Sequence, residues 1–437
     1  MPLKRSAALL LSAPLVAAAA WAGLFYVSDP VAGSSAAATA PSAERHEAQI
    51  ADAARRQPSV INYTLLDQRL QRLMAEPAMV GMAVGVVENG EIRFLKGYGV
   101  TTAGGAEPVS PDTVFRWASL SKGVAGDMVA LLSHQGKLGL YEPINRYSST
   151  LRLPGGMEGQ ATVADVLSHQ LGLFAHAQDA KLEDGMDPQY LRGSLATLNS
   201  ICGAGQCHAY QNVAFDAASE VVERVTGVPY SQAVRQQLFL PLGMTTASMD
   251  RASLMAAPSW ARGHIGGKNP RPEPEITESY FRVPAAGGVN GTIKDLALWM
   301  RAQMGLRPGV LPPEVLAAVQ TPRANTPGEN GRRRKFRERT ANAAYGLGWR
   351  IFDYAGHKVV AHRGGVRGYR SLIMFDPARK SGVVALWNSS TGQPTGLEYE
   401  LMDQVYRLPF EDWLQLDDPG AEPVQADGPE LSEGGTR

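Results

Sequence analysis

Read as apolar and polar positions, the chain places strands near its two ends and helices between them. Met79 to Val87 and Ile92 to Tyr98 are apolar runs separated by Glu88-Asn89-Gly90-Glu91. Asn-Gly between two such runs predicts a hairpin, because both residues tolerate the positive φ of a tight turn. Ahead of it, Asp67, Leu70 and Leu73 mark a first amphipathic helix. From Leu120 to about Gly136 small or apolar residues occupy nearly every face, the pattern of a buried helix. Thr162 caps another helical start that runs to His169, and helical periodicity recurs at Ala214–Val225, Tyr230–Leu238 and Thr292–Met304. Lys358–Ala361, Tyr369–Phe375 and Gly382–Asn388 read as late strands, and Leu397 to Tyr406 as a closing helix. This order predicts an α+β fold: one sheet built from both ends of the chain, with a helical insertion.

The two ends are different. Lys4-Arg5 precedes an apolar, uncharged run over residues 7–27, long enough at about 1.5 Å per residue to cross a bilayer core. Ala18-Ala19-Ala20 also resembles a signal-peptidase site, so residues 1–27 read as a signal anchor or a cleaved signal peptide. Length favours the anchor. Either way the remainder is expected outside the cytoplasm, in the periplasm or its equivalent, tethered to the inner membrane through residues 7–27 or released by cleavage. Residues 28–60, rich in Ala, Ser and Pro and then charged, read as a flexible linker, 61–415 as the folded body, and 416–437 as a disordered acidic tail.

Composition narrows the function. With 42 basic and 42 acidic residues among 437, the chain has no charge excess of the kind that binds nucleic acid. Its only two cysteines, Cys202 and Cys207, enclose Gly-Ala-Gly-Gln; in an exported protein this predicts a small disulfide loop. A metal would want more ligands than the nearby His208, so no metal or cofactor is expected. The dense basic run at 332–337 reads as a solvated loop, with contact to anionic lipid headgroups as the alternative.

The buried helix opens on Ser119-Leu120-Ser121-Lys122. Ser119 and Lys122 are three apart and so share a helix face. A desolvated lysine amine loses pKa and can take the proton of the serine hydroxyl, which then attacks a carbonyl. Ser-x-x-Lys alone is a weak signal, but two further triplets accompany it. Tyr210-Gln211-Asn212 follows the cysteine loop, with Tyr210 as a proton relay and Asn212 as a partner for a substrate amide. His362-Arg363-Gly364-Gly365 ends an apolar strand, where glycines let a substrate approach and the Gly365 amide can face an oxyanion.

Ser119-x-x-Lys122, Tyr210-x-Asn212 and His362-x-Gly364, in this order, resemble the three motifs of the class C beta-lactamase and DD-peptidase family of serine hydrolases. Thr113-Val114-Phe115-Arg116, Asp165-Val166-Leu167-Ser168-His169, Pro241-Leu242-Gly243-Met244, Ala286-Gly287-Gly288 and Tyr345-Gly346-Leu347-Gly348-Trp349 support the resemblance, which covers about Ile61 to Pro409. It implies the beta-lactamase/transpeptidase-like fold, an antiparallel sheet flanked by helices with an all-helical insertion. It also implies that Ser119 is acylated, that Lys122 accepts its proton, that Tyr210 handles the proton of water or leaving group, and that the Ser119 and Gly365 amides form the oxyanion hole. His362 stands where the family's beta-lactamases carry lysine. An imidazole with an ordinary pKa near 6.5 is mostly neutral at pH 7 and is a poor anchor for a substrate carboxylate; Arg363 and Arg367 are the cations expected to replace it. His169 reads as a helix-end or core-edge residue. The implied function is an exported serine hydrolase acting on D-amino-acid peptides or amides of peptidoglycan type, or on beta-lactams. A carboxylesterase on the same scaffold and a weakly catalytic wall-fragment or penicillin-binding protein are the alternatives.

Overall fold

The computed structural model describes residues 58–417 apart from 274, 327 and 330–333. The N-terminal apolar run, most of the linker and most of the acidic tail lie outside the described residues. Among the described residues there are twelve strands: β1 (Gly81–Glu88), β2 (Glu91–Gly99), β3 (Phe115–Arg116), β4 (His264–Ile265), β5 (Arg271–Pro272), β6 (Asn290–Gly291), β7 (Ala324–Asn325), β8 (Thr340–Tyr345), β9 (Arg350–Tyr354), β10 (His357–Val366), β11 (Tyr369–Asp376) and β12 (Ser381–Trp387). Eight of them form one sheet in the order β2-β1-β12-β11-β10-β9-β8-β7, antiparallel at every step. The β1–β12 pairing, with Met82 opposite Trp387, joins the two ends of the body. The β1–β2 turn has Asn89 at φ 54° and Gly90 at φ 86°, as the Asn-Gly signal requires.

The helices that bear on the site are α1 (Tyr63–Met74), α2 (Ser121–His134), α3 (Val163–Leu167), α4 (Asp179–Glu183), α5 (Ala217–Thr226), α6 (Pro284–Gly287), α7 (Ile293–Arg301) and α8 (Leu397–Tyr406). Alternation along the strands gives the sheet two apolar faces. Met82, Val84, Leu372, Met374 and Trp387 pack with α1 and α8; Ala83, Ile373, Phe375, Val384 and Leu386 pack with α2 and α7. Helix α2 is buried from Ser121 to Leu132, so it has no polar face. Thr162 and Thr292 each close a capping box with an aspartate three residues on, which fixes where α3 and α7 begin. Helix α3 ends at Leu167, short of His169, whose φ of 59° breaks the helical course that the sequence predicts there.

Strand β10 is longer than its apolar core suggests, running through the His-Arg-Gly-Gly segment to Val366. Strands β8 and β9 had no clear pattern in the sequence. Thr340-Ala341-Asn342 faces solvent, and only hydrogen bonds to a neighbour hold such a segment extended. Within the basic run, Lys335 donates to the Trp413 carbonyl (2.6 Å) and Phe336 stacks on Tyr399 (4.0 Å between ring centres). That part of the run is packed against the body, which corrects the reading of a solvated loop.

Candidate active site

Ser119 sits in the single turn (Ala118–Leu120) that leads from β3 into α2. Ala118 adopts φ 50°, a left-handed conformation that costs a non-glycine residue on the order of 1 kcal/mol. The turn is held from both sides: the Trp117 amide donates to the Val289 carbonyl (2.8 Å), and Ser371 Oγ on β11 donates to the Trp117 carbonyl (2.7 Å). Strand β10 crosses so closely that a Cβ on Gly364 would fall 2.4 Å from the Trp117 carbonyl and 3.0 Å from the Ser119 amide nitrogen. Glycine is required there. Gly365, next along the strand, is the backbone that the resemblance assigns to the oxyanion hole with Ser119. Ser121 is occupied elsewhere, donating to the Ala118 carbonyl and accepting from the Val289 amide.

Lys122, one helical turn below Ser119, has no exposed surface. Its Nζ lies 3.5 Å from Ser119 Oγ, 2.6 Å from Asn212 Oδ1 and 2.9 Å from the Ala286 carbonyl of α6. A Cβ on Gly348, which adopts φ 80°, would fall 2.2 Å from the Lys122 carbonyl, which accounts for the second glycine of that motif. Burial, opposed by Asp179 and Asp216 and reinforced by Arg350, pulls the Lys122 pKa from 10.5 to about 7. An amine near pKa 7 is present in both protonation states at neutral pH and can both take and return a proton. The Tyr210 ring centre lies 4.6 Å from Lys122 Nζ, so Tyr210 and Lys122 share one pocket with Ser119.

Asn212 is bonded to this amine. Its Oδ1 accepts from Lys122 and its Nδ2 donates to Asp179 Oδ2 (2.6 Å), leaving the side chain 2% exposed. Asp179, at the start of α4, also meets His176 Nδ1 (2.8 Å). Neither Asp179 nor His176 carries a motif signal; their roles come from the fold. His169 is also fully buried, accepting at Nδ1 from the Gln211 amide (3.1 Å), with its ring 4.4 Å from that of Tyr210. It forms the wall behind Tyr210, deeper than the core-edge position expected.

His362 lies on the same face of β10 as Gly364. Its Nδ1 is 2.7 Å from the Arg363 carbonyl, so Nδ1 carries the proton and Nε2 accepts from Tyr345 Oη (2.8 Å) and from Arg350 Nη1 (3.2 Å). Burial first, then Arg350 and Lys122, push its pKa well below 6.5. The imidazole is therefore neutral throughout the physiological range, which corrects the expectation of titration near neutrality. Arg363, one residue on, points to the opposite face and pairs with Glu398 on α8; Arg367 pairs with Glu273 (2.6 Å). Neither supplies the missing cation at position 362. Arg350 on β9 does so by position, with its guanidinium 5.5 Å from the Tyr210 ring centre. Its Nε is 3.1 Å from both carboxylate oxygens of Glu329. Only the β9–β10 pairing brings Arg350 here, and the sequence reading missed it.

Cys202 and Cys207 form a disulfide. The loop is stitched to the segment after α3 through Ile201 N to Gly172 O (2.8 Å), Gly205 N to Gln170 O (2.8 Å) and Ala209 N to His169 O (2.9 Å). These bonds fix the approach to Tyr210.

Ser119 on a turn clamped between a helical layer and an antiparallel sheet, with a buried amine and a tyrosine beside it, is an arrangement of the beta-lactamase-like fold. The sequence model described as Beta-lactamase matches residues 66–407, and the chain belongs to that family of serine hydrolases. It is 28% identical over 338 residues to an unguisins hydrolase of Aspergillus campestris, covering 74% of this chain and 62% of the relative. The chain thus spans just under two thirds of that curated relative. Among solved structures, a penicillin-binding protein homologue from Pyrococcus abyssi superposes with a TM-score of 0.71 at 23% identity, covering 81% of this chain and 80% of the other. A D-stereospecific amidohydrolase from Streptomyces sp. superposes at 0.59 and 20% identity, covering 75% and 95%. These likenesses bear on the fold.

Proposed function

We propose that this protein hydrolyses peptides or amides ending in a D-amino acid through an acyl-enzyme on Ser119. The observation that carries the reading is Lys122 Nζ, desolvated, with a pKa of about 7, 3.5 Å from Ser119 Oγ. Ser119 Oγ attacks the scissile carbonyl as Lys122 takes its proton. The oxyanion forms against the Ser119 and Gly365 amides. Collapse expels the amine, protonated by Lys122 through Tyr210; water then enters by the reverse relay and releases the acid. Arg350 is the cation placed to hold the carboxylate of a departing residue. One protein of similar fold is named a D-stereospecific amidohydrolase, which is the stereochemistry proposed here.

The test is a fluorophosphonate probe and a set of N-acyl dipeptides differing only in the C-terminal stereocentre. The wild type should be labelled, the Ser119→Ala protein should not, and the D-terminal peptide should turn over faster. Labelling of the Ser119→Ala protein would sink the assignment. A second reading, a carboxylesterase for uncharged esters, is favoured by one observation: Glu329 neutralises Arg350. Ester turnover with neither D-peptide nor penicillin turnover would select it.

Export, with a tether through residues 7–27, is part of the same proposal and is supported by the apolar run and the disulfide. Among the described residues no helix is long and apolar enough to cross a membrane. Fractionation of cells carrying the chain with and without residues 1–27 tests it.

A further inference from the structure

His362, Gly364 and Val366 lie two residues apart on one face of β10, a step of about 7 Å each. The first meets Tyr345 and Arg350, the second abuts the Ser119 amide, and the third lines a cavity of about 320 Å³. Proton transfer to the leaving group comes from the Tyr210 and His362 end. The acyl part of a substrate therefore runs the other way, past Gly365 and into this cavity.

The cavity has apolar walls, Ile265, Ile276 and Val366 among them, with Tyr280 and Tyr369 beside them. Arg116, three residues before Ser119, also lines it and is only 3% exposed. Its guanidinium rests on the Phe281 ring (4.1 Å); Nε and Nη2 are sealed from solvent without a hydrogen-bond partner, which leaves Nη1 as the donor open to the cavity. A buried guanidinium in that state is costly unless an anion completes it. Burial lowers its pKa only to about 10, so it remains charged at pH 7. The acids of the cavity are paired with groups other than Arg116: Glu273 with Arg367 and Glu183 with the Tyr280 hydroxyl (2.8 Å), both in the cavity wall, and Glu275 with Arg251. We infer that the cavity beyond Gly365 is an acyl-side subsite for a flexible chain ending in a carboxylate, which Arg116 binds. The inference rests on Ser119 as nucleophile and adds the chemistry of the acyl group.

The test compares p-nitrophenyl hydrogen adipate with its methyl ester, two donors alike except for the terminal charge. Four methylenes let the carboxylate reach past Val366. Wild-type kcat/KM, corrected for buffer hydrolysis, should favour the anion by about tenfold or more, the value of one charge-assisted hydrogen bond. Arg116→Gln should collapse that ratio. If that variant does not fold, Ile265→Trp, which fills the cavity, should slow both adipates relative to p-nitrophenyl acetate. A wild-type ratio near one, a ratio that survives in Arg116→Gln, or equal slowing of acetate and adipates by Ile265→Trp overturns the subsite while leaving the nucleophile in place. Absence of any acyl-enzyme on Ser119 by mass spectrometry, with every donor, overturns both.

Discussion

Lys122 Nζ donates to Asn212 Oδ1 at 2.6 Å and stands 3.5 Å from Ser119 Oγ. The amine is held more tightly by the amide that positions it than by the hydroxyl it would deprotonate. Asn212 in turn is held by Asp179, so the base is set by a chain of three side chains from three separate parts of the sequence.

The first prediction concerns that base. Because the Lys122 pKa is near 7, acylation should rise with pH through about 7 as the neutral amine forms. Lys122→Met should remove this limb and lower acylation by about 10²- to 10⁴-fold. Stopped-flow acylation between pH 5.5 and 9 checks it, and a flat wild-type profile would contradict the role.

Arg350 governs the second. If it holds a departing carboxylate, Arg350→Ala should reduce the preference for a free C-terminal acid over its amide by about tenfold to a hundredfold. The measured quantity is the ratio of kcat/KM between the two peptides, which cancels general damage to the site. An unchanged ratio would remove Arg350 from recognition.

His362 should not titrate between pH 6.5 and 8, since burial and the neighbouring Arg350 and Lys122 push its pKa well below 6.5. Its ring signals in an NMR titration should stay constant over that range. His362→Lys would place a third amine or guanidinium beside those two, so it should lower stability rather than improve penicillin acylation. A gain in penicillin acylation with unchanged stability would refute this.

Asp127, in the middle of α2, predicts a stability effect. It accepts from Trp299 Nε1 (2.7 Å) and Gln303 Nε2 (2.5 Å), while its Oδ1 is buried without a partner. Burial raises its pKa from 3.8 to about 7. The folded state therefore binds the proton more tightly than the unfolded one. Its contribution is fully present below about pH 4 and is lost as pH rises to about 7. Asp127→Asn should be more stable than wild type at pH 8, on the order of a few kcal/mol, with the difference shrinking toward pH 4. Urea unfolding at the two pH values reads this directly.

The disulfide closes a short loop, so its removal should cost about 2 kcal/mol or less. Because the loop is bonded to His169 and Gly172 behind Tyr210, the Cys202→Ser/Cys207→Ser protein should lose more in kcat than in KM. Thermal unfolding and steady-state kinetics on one preparation separate the two effects.

What the chain determined locally was readable from its residues. The hairpin at Asn89-Gly90, the all-round burial of α2, the cap Thr162 and the bounds of α8 follow from neighbours a few residues apart. So does the pairing of Ser119 with Lys122, because a spacing of three on a helix is itself a distance. Charge states and partners were decided only by the tertiary structure. His362 is neutral because β9 brings Arg350 beside it and the sheet buries it; Arg363 is withdrawn because strand alternation turns it toward Glu398. Asn212 is occupied because α4 places Asp179 behind it. A pKa or a vacant hydrogen bond depends on the dielectric and charges within a few ångströms, and here those groups lie far apart along the chain.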